Sequence, residues 1–454
     1  MRISVRRTSV IAGTAALLVT GAAVAPSATA APSRTTGAHL VPHHKMAYAK
    51  AFVGRAAPTD AQCRAVIGVP CYSPQEIRTA YGLNGLLADG DQGRGQTIVI
   101  IDSFGSPTAK QDLDQFDSDF NLPAPPSFQQ LAPLGSVPFD PTNDDQVGWA
   151  EETSLDIQWA HALAPQAGIV VLTSPVSETQ GVQGLPEFLK LEQFAVDHHL
   201  GKIISQSWGT TENTLETPAG RAIMARFNAF YRSATLRGVT FLNSSGDSGT
   251  ANPDVNGNIY PFPTVSFPSN SPWNTIVGGT SLYADTSGNY QRETVWNDGP
   301  ADATGGGVSQ LVSEPIWQRL LPRADQRLLA GHRGLPDVAF NADPDTGVLV
   351  HLGFFDPADN GYYIFGGTSE GSPAWAGIIA DLNQRAGHPL GYLNPLLYGL
   401  GATGLLYPAV FRDVTVGDNS QPPIPGYSAG RGWDAVTGWG TPNLGRLGGP
   451  LLRG

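Results

Sequence analysis

Ser369, the pair Glu152 and Asp156 four residues apart, and Asp247 are the residues of this chain whose types and spacing could do chemistry together. The serine lies in FGGTSEGSPAWAGIIADLNQ, residues 365–384, which reads as a strand end, a glycine turn and a helix whose first turn carries Ser369 and Pro373. Gly366 and Gly367 permit a tight turn with room for close approach, and Pro373 suits a first turn that needs no N–H from it. A hydroxyl at a helix start sits beside free N–H groups and the positive end of the dipole, so an oxyanion formed there finds donors in place. Taken alone, the motif reads better as a helix cap supplied by Thr368 or Ser369.

A serine nucleophile needs a positioned base. None of the nine histidines sits in a His-Gly-Thr-His type setting. Asp102, at a strand end, is placed like the aspartate of a subtilisin triad, yet the histidine that should follow is missing. GWAEETSLDIQWAHALAPQAG, residues 148–168, offers a different base. At about 100° per residue, Trp149, Glu152, Asp156, Trp159 and Leu163 share one helix face, with Ser154, Gln158 and His161 roughly opposite. A solvated carboxylate pair would drag two tryptophans into water. Neighbours at this spacing have Cβ atoms about 5–6 Å apart, so desolvated carboxyls can share a proton and split their pKa values. Such a pair accepts a serine proton in acid, where an imidazole is already charged. Asp247, in the turn Gly246-Asp247-Ser248-Gly249, could donate a hydrogen bond to an oxyanion when protonated; alone it reads as an Asx turn.

The elements that would carry these residues alternate. QTIVIIDSF (96–104), AGIVVLTSP, GKIISQSWG and VTFLNSSGDSG read as buried strands; TAKQDLDQFDSDF, GLPEFLKLEQFAVDHHL and AGRAIMARFNAFYRSATLRG between them read as helices. The order implies an α/β domain whose parallel sheet is covered on both faces, with function gathered beyond the C-terminal strand ends. Asp102, Trp208 and Asp247 fall there. After Ser248 the chain becomes loopier until the Ser369 helix, and residues 73–454 read as one large domain.

The 454 residues include 54 glycines and 37 prolines, a loop-rich globular composition. Residues 1–30, arginines followed by a short apolar run and Ala28-Thr29-Ala30, read as an export signal, so the expected location is extracellular. No later stretch approaches the roughly 18 apolar residues of a membrane span. Residues 1–71 hold eight of the 27 Lys and Arg but one of the 39 Asp and Glu, leaving 19 positive against 38 negative groups in the remainder. Such a surface lacks the basic clusters of a nucleic-acid binder and suits work in acid. Cys63 and Cys71, the only cysteines, are expected to form a local disulfide; free buried thiols are the alternative.

In that chain order, Glu152-x-x-x-Asp156, Gly246-Asp247-Ser248-Gly249 and Gly-Thr-Ser369-x-x-x-Pro resemble the sedolisin (serine-carboxyl peptidase) family. The likeness spans about residues 73–447 and includes GRGQTIVIIDSFG, GGGVSQLVSEPIWQ, GLPDVAFNADPDTG and GWDAVTGWGTPN. The resemblance implies a subtilisin-like α/β fold carrying an endopeptidase or tripeptidyl-peptidase active in acid on protein or peptide substrates. It makes Ser369 the nucleophile, Glu152 its general base and later acid, Asp156 the partner that orients Glu152, and Asp247 the oxyanion donor beside the Ser369 N–H. RDVTVGDNSQPPIPGYSAGRGWDAVTG, residues 412–438, is similar to the family's calcium site, with Asp413 and Asp434 as carboxylates and Val414, Gly430 and Gly432 as carbonyls, an all-oxygen shell for a structural Ca2+. One departure is the short stretch between the signal and the catalytic part, residues 31–72, where the family carries a long folded prosegment. A monomer is expected. The competing readings are a non-catalytic secreted binding protein on the same scaffold and a neutral-pH subtilisin using His161.

Overall fold

The computed structural model describes residues 45–47 and 56–446. The export signal read over residues 1–30, most of the 31–72 segment and the last residues of the 73–454 domain lie outside the described residues.

An eight-stranded sheet forms the centre. Its strands are β1 (Thr97–Ser103), β2 (Phe128–Leu131), β3 (Gly168–Ser174), β4 (Ile203–Gln206), β5 (Thr240–Ser244), β6 (Thr275–Ala284), β7 (Tyr290–Val295) and β8 (Val338–Asn341). The order is β7-β6-β5-β4-β1-β3-β2, with β8 also paired to β6. Only β7 runs antiparallel to its neighbour. Burial along the strands explains the parallel arrangement: in β1, Ile98 and Ile100 enter one core while Val99 and Ile101 enter the other. Strands of alternating Ile and Val with no polar face stay out of water only when helices cover both sides.

Helices α1 (Ala109–Phe120) and α2 (Asp144–Leu163) supply the first core, and α3 (Leu185–Asp197) and α4 (Pro218–Thr235) the second. From β1 the chain moves toward β2 and β3; from β4 it moves the opposite way, toward β5 and β6. Outside the carboxyl ends of β1 and β4 lies the crevice where such sheets bind ligands. The expected α/β class, subtilisin-like sheet and single large domain are borne out, with strands and helices within a few residues of the expected bounds.

The loopier region after Ser248 proves instead to hold the longest strand of the sheet, β6, together with β8. Gly278 and Gly279 hide β6 from propensity, yet contact requires them. A Cβ on Gly278 would lie 2.6 Å from the Pro336 ring, and one on Gly279 2.7 Å from Ala342 Cβ.

Strand β9 (Gly361–Gly366) leads into helix α5 (Thr368–Ala386). On its outer edge, Lys45–Ala47 adds an antiparallel strand, Lys45 opposite Gly366 and Ala47 opposite Ile364. Residues 60–72 also join the body: Cys63 and Cys71 form the expected disulfide, both inside the core, and the Tyr72 hydroxyl donates to the Leu282 carbonyl at 3.0 Å.

Candidate active site

Helices α2 and α5 pack along one another. Gly377 permits the approach, because a Cβ there would lie 2.9 Å from both the Ala160 carbonyl oxygen and Leu163 Cβ. Glu152 and Asp156 on α2 are 0% exposed, and Ser369 on α5 is 2% exposed. The carboxyl pair thus lies in the interior with both tryptophans.

The single apolar stripe expected on α2 is not what buries it. Trp149 packs against Phe188 in one core and Trp159 against Phe116 in the other, while Ser154, Gln158 and His161, assigned to the opposite face, are buried as well. The helix is enclosed by its neighbours all round, so no face is left for water.

Three acids meet here. Asp156 shares a hydrogen bond with Glu152, and Asp102, at the end of β1, lies close enough to feel the Glu152 charge. Burial, and after it that charge, holds the Asp102 and Asp156 carboxyls well above the usual carboxylate range. Hydroxyls offset part of this. Thr153 donates to Asp102 at 3.0 Å, and Ser207, just beyond β4, lies 3.0 Å from each oxygen of Asp156. The Ser207 hydroxyl is also 3.4 Å from the Ser369 carbonyl oxygen, linking the acid pair to the backbone of the serine.

Pro373 accounts for that link. It is the sixth residue of α5, not a first-turn residue as its sequence context suggests, because the helix begins directly after Gly367. Lacking an N–H, it cannot bond the carbonyl four residues earlier, which is that of Ser369. Neither Thr368 nor Ser369 caps the helix; the cap position belongs to Gly367, at φ 103°, which has no side chain to bond.

The Asp247 carboxyl reaches beyond its own turn. Its Oδ1 accepts the Thr368 N–H at 2.8 Å and the Thr368 hydroxyl at 2.6 Å, fastening the Gly246–Gly249 turn to the start of α5. The imidazole reading fails: His161 Nε2 is 2.9 Å from the Pro123 carbonyl and 3.1 Å from Asp117 Oδ1 of α1, engaged there and buried. Sequence reasoning noted Asp102 without giving it a part, and missed Ser207 and Thr368. Position at a strand end is the one sequence signal that Asp102 and Ser207 share; Thr368 is marked only by its place beside Ser369.

The C-terminal residues read as a cation shell share one loop. Asp413 accepts the Gly432 N–H at 3.1 Å and the Tyr407 hydroxyl at 2.7 Å, and Asp434 accepts the Gly430 N–H at 2.9 Å. Burial raises Asp434 to about 6, and the Asp413 and Asp434 charges both act on Tyr407. Val414 is buried beside them. Among the described residues no group of three or more His, Cys, Asp or Glu could hold a metal, so an ion here would rest on two carboxylates and on carbonyls.

No family model matches the chain. It is 37% identical over 398 residues to kumamolisin of Bacillus sp. (strain MN-32), covering 86% of this chain and 65% of that protein. It is 31% identical over 385 residues to sedolisin of Pseudomonas sp. (strain 101), covering 83% of this chain and 60% of that protein. The chain thus spans less than two thirds of the length of these curated relatives. Among solved structures, Pseudomonas sedolisin, a serine-carboxyl proteinase complexed with two molecules of pseudo-iodotyrostatin, superposes with a TM-score of 0.68 at 30% identity, over 84% of this chain and 97% of that one.

Proposed function

Because the chain belongs to the sedolisin family of serine-carboxyl proteinases, we propose that it is a secreted peptidase, endopeptidase or tripeptidyl-peptidase, that cleaves peptide bonds in acid through an acyl-enzyme on Ser369. The observation that carries this reading is the enclosed Asp102–Glu152–Asp156 cluster, tied through Ser207 to the Ser369 backbone. Glu152 takes the proton as Ser369 Oγ attacks the carbonyl carbon. Asp156, hydrogen-bonded to Glu152, orients it and shares the proton. The oxyanion is met by the Ser369 N–H and by the protonated carboxyl of Asp247. Glu152 then protonates the leaving amine, and water repeats the sequence on the acyl-enzyme, returning the serine. Extracellular location rests on the leader; among the described residues no helix is long and apolar enough to cross a membrane.

The test is a pH–rate profile on acid-denatured casein with the N-termini of the products sequenced, alongside labelling by a peptide aldehyde or fluorophosphonate. Hydrolysis is expected in the acid range, lost above neutrality, with label on Ser369. A chain that neither cuts casein at any pH nor takes up label is the non-catalytic scaffold instead.

The same reading assigns a structural calcium ion to Asp413, Asp434 and the carbonyls of Val414, Gly430 and Gly432. The residues fit: the donors are all oxygen, both carboxylates border one glycine loop, and Asp434 is buried where its negative charge calls for a cation. When bound, the ion supplies cross-linking of loops and no chemistry. Calcium at a hundred times its Kd is expected to stabilise the fold by about 2.7 kcal/mol, read as a fall in Tm on chelation, and Asp413→Asn is expected to abolish that dependence. An unchanged Tm on chelating the parent protein would remove the site.

A further inference from the structure

Thr368 lies between the serine and the acid assigned to its oxyanion, and takes no part in the steps above. Its Oγ1 accepts the Gly246 N–H at 3.0 Å, which leaves the hydroxyl hydrogen to point elsewhere. Asp247 Oδ1 stands 2.6 Å away, and the Thr368 N–H reaches the same oxygen at 2.8 Å. One residue therefore aims two donors at one carboxyl oxygen. Its rotamer is held from behind: a Cβ on Gly279 of β6 would lie 3.2 Å from the Thr368 methyl, so the methyl packs against bare backbone. Gly246, at φ 103°, turns its N–H onto the hydroxyl in a conformation that other residues rarely adopt.

A neutral carboxyl accepts at its carbonyl oxygen and donates from its hydroxyl oxygen. The oxygen at which two donors converge is the accepting one, so the hydrogen of neutral Asp247 belongs on Oδ2. We propose that Thr368 is a positioning residue for the oxyanion donor: by fixing Oδ1 as the acceptor of Asp247, it presents the Oδ2 hydrogen to the developing negative charge. The inference deepens the reading of Asp247 as oxyanion donor and rests on it. An acid free to rotate or to carry its hydrogen on either oxygen aims the donor correctly only part of the time, and a misaimed donor contributes little in the transition state.

The experiment compares Thr368→Val and Thr368→Ser with the parent, alone and in an Asp247→Ala background. An internally quenched peptide chosen from the casein products gives kcat and KM, and the Ki of a peptide aldehyde is set beside that of the matching peptide alcohol. Thr368→Val is expected to lower kcat and to weaken the aldehyde roughly tenfold or more, with KM and alcohol binding within about twofold, because only the tetrahedral adduct uses the donor. Thr368→Ser is expected to recover most of the loss, and Thr368→Val to cost little in the Asp247→Ala background, where no donor is left to position. Unchanged kcat and aldehyde Ki in Thr368→Val, no recovery by serine, or full additivity with Asp247→Ala each overturns the proposal. If Asp247→Ala, which removes both carboxyl oxygens, keeps full rate while Ser369→Ala loses it, the donor reading itself falls and the role of Thr368 with it. Should the valine variant not fold, Thr368→Cys, a weak donor of similar volume, is read in the same way.

Discussion

Replacing Ser369 by alanine is expected to lower kcat on the quenched peptide by about 10⁴-fold or more, while the protein keeps its fold and binds peptide. The side chain removed is buried and small, and the turn that holds α5 is built by Gly366, Gly367 and Asp247, which the substitution leaves alone. A Cβ on Gly366 would lie 2.5 Å from the Ala342 carbonyl, so that turn is set by neighbouring backbone and not by the serine. Glu152→Gln is expected to cost a similar factor, because the amide keeps the shape and cannot take the proton. The double variant should be little worse than the worse single one, since a nucleophile and its base act as a unit. Initial rates at acid pH for the three variants decide the matter. If Glu152→Gln stays within tenfold of the parent while Ser369→Ala is dead, the base is another group, and Asp102 is the next to test.

The second expected result concerns stability: the protein should melt at a higher temperature near pH 4 than near pH 7.5, by several degrees. Asp102, Asp156, Glu178, Glu192, Glu370 and Asp381 are buried carboxyls raised well above their ordinary range, each first by burial. Asp343 is raised to about 7 by burial and by the charge of Asp298. In the unfolded chain these groups release their protons around pH 4; in the folded protein they hold them to higher pH. Between those limits the native state binds more protons than the unfolded one, so stability is fully present below pH 4 and falls as pH rises through the native values. Asp140, Asp254 and Asp285 are shifted the other way, but they lie in solvent and oppose the trend only weakly. Thermal melts across this range at constant ionic strength measure the slope. A Tm that climbs steadily from pH 4 to pH 7.5 would show that these carboxyls are ionised in the fold.

What could be read from the residues follows from where each signal resides. β1, β3, β4 and β5 are short apolar runs between turn residues, and α1, α3 and α4 carry a 3.6-residue apolar period, so each announces itself locally. β2, with the sequence FQQL, is a sheet edge whose exposed glutamines give no apolar pattern, and β6 is held by close packing around glycines. Both are imposed by neighbours that a linear reading does not supply. The same division runs through the site. Glu152 and Asp156 betray themselves by keeping company with Trp149 and Trp159 on one helix, although the enclosure is all round and not one-faced. Ser207 lies 162 residues from the serine it touches and 51 from the acid it touches, a juxtaposition made by folding alone. The misplaced Pro373 teaches the converse: glycines before a helix permit its start at any of several residues, and only the dihedral at Gly367 decides which.

Ser207 has a single hydrogen and three oxygens within reach, both of Asp156 and the carbonyl of Ser369. While Asp156 is an anion it claims that hydrogen outright. Once Asp156 holds a proton of its own the competition eases, and the hydrogen can turn to the one carbonyl in the opening of α5 that proline has left without its helical donor. Acidification therefore does more than neutralise Asp156: it firms the stretch of backbone from which the attacking oxygen hangs.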